Sequence, residues 1–157
     1  MVTRQALNVT VNQMTNLRDT SLLHRPYEAC SLLLGLVKDR IFLVKEIYHM
    51  QNVDRARNTF QMSGIDLMNA YEYSLGKNLD VIGIFHSHIS GIRPSKKDMR
   101  FMEINPVVWL IYSVSDYQFG AYIMESTLKD VPIEVFRDLA FQHREEKGQL
   151  HVYYPMK

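Results

Sequence analysis

Apolar residues in this chain fall into short blocks separated by polar turns, and the spacing inside each block predicts an element. "EACSLLLGLV", Glu28 to Val37, is a near-continuous apolar run of the kind that forms a buried strand. "RIFLVKEIYHM", Arg40 to Met50, follows the turn-like "KD" and predicts a hairpin with it. "LDVIGIFHSH", ending at His88, predicts another buried strand. "VVWLIYSV" and "QFGAYIM", separated by "SDY", predict two more, and "VPIEVF" a last one. Helical signals lie between them. "TNLRDTSLLH", Thr15 to His24, predicts a helix stopped by Pro26. In "SGIDLMNAYEYSLGKN", Ile65, Met68, Tyr71 or Glu72, and Leu75 stand near helical spacing, with Ser63 as N-cap, Asp66 three residues on and Gly76 as the stop. "PSKKDMRFMEIN" starts like a helix, and the charged stretch from Arg137 to Gly148 predicts a surface helix. "HVYYPMK" at the end fits either a tail or a contact strand. The mixed order predicts an α/β or α+β fold, a central mixed sheet flanked by helices, in one domain spanning residues 1–157 with 137–157 as a C-terminal helix and tail.

Composition narrows the classes of function. The chain has 157 residues, 46% hydrophobic and 22% charged, with a formal net charge of +1. That describes a globular protein able to bury a core, with no electrostatic case for nucleic acid or an anionic membrane as partner. The single cysteine, Cys30, excludes an internal disulfide and suits a reducing compartment. No apolar stretch approaches the roughly 18 residues needed to span a bilayer, and "MVTRQALNVTVNQMTN" lacks the apolar centre of a signal peptide. The expected location is cytoplasmic.

The chemistry concentrates in "FHSHISGIRPSKKD", Phe85 to Asp98. Residues i and i+2 of a strand share a face, so His86 and His88 point to one side together with Ile82 and Ile84. They stand at the carboxyl end of a buried strand, where sites in such sheets form. Neutral imidazole is a zinc ligand, and a catalytic zinc takes three protein ligands and a water. Asp98 supplies a third ligand if the intervening loop folds back, and Gly91 and Pro94 favour a turn there. A lone histidine at such a junction would read as an ordinary surface residue; two ending an apolar strand, with an aspartate ten residues on, point to a metal. Ser95 and Asp98 carry a competing structural reading. Ser-x-x-Asp at a helix start is a capping pattern, used again at Ser63 and Asp66.

These residues resemble the signature of the JAMM/MPN+ metalloproteases, in which His-x-His is followed by a serine and an aspartate within one short loop and helix start. Upstream, "RPYEACSLLLG" resembles the family segment in which a glutamate leads into a leucine-rich strand. The similarity runs from about Leu22 to Met124 and implies the JAMM/MPN, cytidine-deaminase-like architecture. Carried over position by position, it implies that His86, His88 and Asp98 bind one Zn2+, that Glu28 acts as general base and acid, and that Ser95 stabilises the oxyanion. Two features depart from the pattern: the stretch between His88 and Ser95 is one residue shorter than usual, and Ile89 stands where a proline commonly follows the second histidine. The long insertions of the eukaryotic members are missing, so the chain looks like the compact archaeal or bacterial form.

The activity implied is that of a deubiquitinase-like isopeptidase, cutting after the glycine-ended tail of a ubiquitin-like or sulfur-carrier protein. MPN domains often pair, which leaves a homodimer open. The alternative is an MPN domain that has lost its metal and serves as a scaffold or interaction module in a larger assembly. Other enzyme classes fit less well. Zinc nucleobase deaminases need a Pro-Cys-x-x-Cys that one cysteine cannot supply, and barrel hydrolases need about 250 residues. Cys30, inside an apolar run, reads as a buried structural thiol.

Overall fold

The computed structural model describes residues 5–138 and joins eight strands into one mixed sheet in the order β7-β6-β5-β4-β2-β3-β1-β8. The strands are β1 (Ala6–Thr10), β2 (Cys30–Lys38), β3 (Ile41–Met50), β4 (Asp80–His88), β5 (Val108–Ser113), β6 (Gln118–Met124), β7 (Leu128–Asp130) and β8 (Ile133–Phe136). Three helices, α1 (Val11–His24), α2 (Gly64–Gly76) and α3 (Lys96–Ile104), lie between them. The expected mixed sheet flanked by helices is therefore present. The helix and tail expected over 137–157 lie outside the described residues, apart from their first two positions.

The predicted hairpin forms between β2 and β3, which pair antiparallel from Cys30↔Met50 to Lys38↔Ile41. Asp39 and Arg40 both take positive φ, at 51° and 66°, which is the turn whose twist matches a two-residue hairpin loop. Near its middle the register slips between Leu34 and Gly35. A Cβ on Gly35 would stand 1.9 Å from the Leu43 carbonyl oxygen, so only glycine allows the two strands this approach.

Apolar clusters occupy both faces of the sheet. One gathers Leu7, Val9, Leu33, Val44, Phe85, Leu110 and Ala121 under Met14 and Leu17 of α1. Leu32, Leu34 and Met50 pack with Ala70 of α2, and Trp109, Ile111 and Tyr122 pack with Met102 of α3. Half-buried Phe60 and Ile84 touch both of these last two clusters.

Three expectations change. The first helix begins at Val11, four residues early, because Thr10 and Gln13 form a reciprocal capping box. The stripe on α2 faces solvent, with Ile65, Met68, Tyr71 and Leu75 exposed by 70, 58, 52 and 72%. The helix rests instead on small Ala70 and Ser74. Finally, Ile82 does not share a side with the histidines. The β2–β4 register shifts between Leu33 and Leu34, and this irregularity turns Ile82 into the cluster under α1, whereas Ile84 keeps the face of α2 and α3.

Candidate metal centre

β4 runs parallel to β5 and antiparallel to β2 through the middle of the sheet, and its last residues hold His86 and His88 at the strand's carboxyl end, against Asp98 of α3. Their Nε2 atoms lie 2.9 Å apart, and they stand 3.2 and 3.1 Å from one oxygen, Oδ2 of Asp98. The three donor atoms lie within 4.8 Å of one another, the sole such His/Cys/Asp/Glu grouping among the described residues. The short loop before Ser95 does not keep Asp98 away. Gly91 takes φ +80°, a left-handed turn that glycine adopts without steric cost, and its N–H donates to Asp116 Oδ2 at 2.9 Å. Ser113 Oγ donates to the same carboxylate oxygen, which pins the loop to the end of β5.

This turn also sets the state of His88. Its Nδ1 lies 3.0 Å from the Gly91 carbonyl oxygen, which can only accept. Nδ1 therefore carries the hydrogen, and in the neutral ring Nε2 presents its lone pair to the cluster. That is the tautomer a metal ligand requires. His86 is fully buried, its ring stacked on Phe60 at 4.6 Å and edge-on to Trp109 at 5.8 Å. Burial lowers its pKa despite the hydrogen bond and charge of Asp98. At His88 burial acts the same way, but Asp98 and Glu28 outweigh it and bring the ring up. Burial alone would raise the Asp98 carboxyl; the hydrogen bonds and charge of the imidazoles in their protonated form, and the Ser95 N–H, hold it well below the usual carboxylate range.

Ser95 is the N-cap of α3. Its Oγ accepts from Asp98 N at 3.0 Å, and Asp98 Oδ2 accepts from Ser95 N at 2.8 Å, a complete capping box. The capping reading of Ser95 and Asp98 thus holds, and so does that of Ser63, whose Oγ accepts from Asp66 N at 3.1 Å. Capping does not consume Ser95: a hydroxyl that accepts one N–H still has its own hydrogen to donate.

Glu28 precedes β2 and is 3% exposed. Burial pushes its carboxyl up to about 7, with the charges of His88, Asp98, Lys97 and Asp54 acting on it in opposite directions. The structure therefore places Glu28 in the electrostatic field of the cluster, as a buried acid that titrates near neutrality. Cys30, two residues on, is buried and its thiol is pushed up to about 12 by burial and by Glu28, which leaves it an inert core residue.

Three residues that support the cluster drew no attention in the sequence. Ser87, the middle residue of His-x-His, accepts from Ala29 N at 2.8 Å and returns its own N–H to the Ala29 carbonyl at 3.0 Å. A serine between two histidines in an apolar strand must bury its hydroxyl on the opposite face, and that was its signal. Asp116 lies in a turn of a composition that attracts such side-chain bonds. Phe60 sits in an irregular segment and carries no local signal.

The donor set of two imidazoles and a carboxylate suits zinc of the catalytic type. Residues 11–129 match the family profile described as prokaryotic homologues of the JAB domain. A desampylase of Pyrococcus furiosus is 32% identical over 109 residues, which cover 69% of this chain and 74% of that protein. Among solved structures, one of a Desulfitobacterium hafniense protein superposes with a TM-score of 0.78 at 24% identity, covering 87% of this chain and 97% of that one. One of a Salinibacter ruber protein gives 0.63 at 21% identity, over 94% and 98%. These two likenesses concern the fold. The profile match and the relative agree with the resemblance carried by the His-x-His segment, and this chain belongs to the JAMM/MPN family, among the prokaryotic homologues of the JAB domain.

Proposed function

We propose that the protein is a zinc-dependent isopeptidase or peptidase that cuts after the glycine-ended tail of a ubiquitin-like or sulfur-carrier protein. The observation that carries this reading is the convergence of His86, His88 and Asp98 on one point beside a buried, neutral-range Glu28. Membership of the family and similarity to a desampylase support it. Three intact donors also favour an enzyme over a metal-free scaffold.

His86 Nε2, His88 Nε2 and Asp98 Oδ2 would hold the zinc. When bound, the metal polarises the scissile carbonyl and brings the pKa of a coordinated water to about 7. Glu28 accepts the proton of the attacking water on a carboxylate oxygen and delivers it to the nitrogen of the leaving amine. The Ser95 hydroxyl donates to the carbonyl oxygen as negative charge grows there. Ala29 N–H, fixed on Ser87, keeps the main chain next to Glu28 against β4.

The test joins metal analysis to turnover. Protein purified without chelator should carry close to one zinc per chain. It should release a glycine-ended ubiquitin-like protein from a lysine isopeptide conjugate, stop on addition of chelator and recover with zinc. Metal-free protein that cleaves none of a panel of such conjugates after zinc is added would favour the scaffold.

Ser95 offers a more local check. Ser63→Ala and Ser95→Ala should each cost about 1 kcal/mol of stability, since both remove an N-cap. Only Ser95→Ala should also lower kcat, by on the order of 10²–10³, the effect of losing one oxyanion donor. Equal stability losses with normal turnover in both would leave Ser95 a cap and nothing more.

A further inference from the structure

Asn52 lies two residues past the end of β3. Because Cys30 pairs with Met50, the antiparallel register carried on by two residues sets Asn52 opposite Glu28. The backbone ladder has ended there, and a side chain takes its place: Asn52 Nδ2 donates to the Glu28 carbonyl at 2.8 Å. The same nitrogen donates to Thr59 O at 3.3 Å, while Oδ1 accepts from Asp54 N at 2.9 Å and Gln61 N at 3.0 Å. Both amide hydrogens and both carbonyl lone pairs are engaged, which is the full capacity of an asparagine. The segment it closes carries Phe60, stacked on His86, and Asp54, which accepts from Thr59 Oγ1 and pairs with Lys97 of α3 at 3.8 Å. One side chain thus ties the main chain of Glu28 to the segment that covers His86 and touches the helix bearing Asp98.

We propose that Asn52 is a positioning residue for the reaction, one that holds Glu28 at a set distance from the metal ligands; this rests on Glu28 being the proton carrier. Folding the segment alone does not account for it. The two bonds to Oδ1 and the one to Thr59 close residues 54–61, and the bond to Glu28 adds nothing to that closure. On its other side the same stretch is held to β4 through Ser87 and Ala29. Glu28 is therefore clamped between β3 and the histidine strand, and releasing one jaw lets its carboxyl drift. A misplacement of about 1 Å at such a group can cost on the order of 10² in rate.

Asn52→Asp weights the loss toward Glu28, because two of the three bonds that close the segment go to Oδ1 and survive. The carboxylate keeps the shape and still accepts from Asp54 N and Gln61 N, but it offers no N–H to the Glu28 carbonyl and loses the longer bond to Thr59 O. In the zinc-loaded full chain, with the conjugate that the wild type cleaves, kcat should fall by roughly ten- to a hundredfold while KM stays within about twofold. Zinc content should not change. Hydrogen–deuterium exchange should rise in the peptide covering residues 26–31 and rise less over 53–61, where the bonds from Asp54 N and Gln61 N remain. Asn52→Ala, which carries no new charge, should loosen both peptides and lose at least as much kcat. Wild-type kcat, or unchanged exchange at 26–31, in either variant that folds would overturn the proposal. The exchange measurement needs no substrate, so a wild type without turnover would sink the assigned activity while the clamp is still judged on its own.

Discussion

Glu28→Gln should leave the zinc bound and lower kcat by roughly 10²–10⁴, the share that a positioned proton carrier contributes. Glutamine keeps the size and the hydrogen-bonding capacity of the side chain but cannot take a proton from water. Metal loss together with activity would make Glu28 a ligand and assign the proton to another group. The same substitution has a second, independent readout in zinc-free protein. There burial holds the Glu28 carboxyl up to about 7, above its ordinary value near 4.5. A raised pKa means that the fold binds this proton more tightly than the unfolded chain does. The stabilisation is full below about pH 4.5 and is lost as pH rises through about 7. Glutamine imitates the protonated form at every pH. Zinc-free Glu28→Gln should therefore be more stable than wild type at pH 8, by up to about 3 kcal/mol, with the gap closing toward pH 5. Thermal melts at the two pH values, both with chelator present, check this; a gap that does not depend on pH would mean that Glu28 is not held protonated by its burial.

What the sequence made legible followed from local periodicity and local chemistry. The β2–β3 hairpin, the histidine strand and the β5–β6 hairpin are runs of apolar residues bounded by turn signals, and each pairs with a neighbour close in sequence or in the centre of the sheet. β1 and β7 were not legible. β1 has five residues, and its partners β3 and β8 are reached only through long separations, so nothing within "ALNVT" announces it. On α2 the spacing identified a helix but not which side packs. Ala70 and Ser74 are small enough to let the helix lie against the sheet, while the larger residues at helical spacing face solvent. The site divides in the same way. His86, His88 and Asp98 are recognisable because ligand types and spacing are written within one short segment. Glu28 is a single charge at a strand edge in the sequence; only burial beside the cluster makes it an acid that titrates near neutrality. Phe60 and Asn52 work through contacts that irregular chain creates, and irregular chain has no period to read.

Asp98 should prove the least replaceable residue of the cluster, because one oxygen serves the proposed metal site and the helix together. Oδ2 stands at 3.2 and 3.1 Å from the two imidazole nitrogens and also accepts from Ser95 N at 2.8 Å. Asp98→Ala removes all three interactions, leaving two imidazoles facing each other and the first turn of α3 without its side-chain acceptor. Asp98→Asn keeps an oxygen that can accept from Ser95 N, but replaces an anionic ligand by a neutral amide that binds zinc poorly. Both variants should lose most of the zinc, since two imidazoles alone rarely hold the ion against solvent, and with it essentially all turnover. They should differ in the metal-free state. There Asp98→Asn should be the more stable by about 1 kcal/mol, the worth of one capping interaction. Zinc analysis and chelator-treated melts on the two variants separate the functions. Full zinc in Asp98→Asn would mean that another group completes the ligand set, and equal stability of the two would mean that the box at Ser95 does not depend on its reciprocal bond.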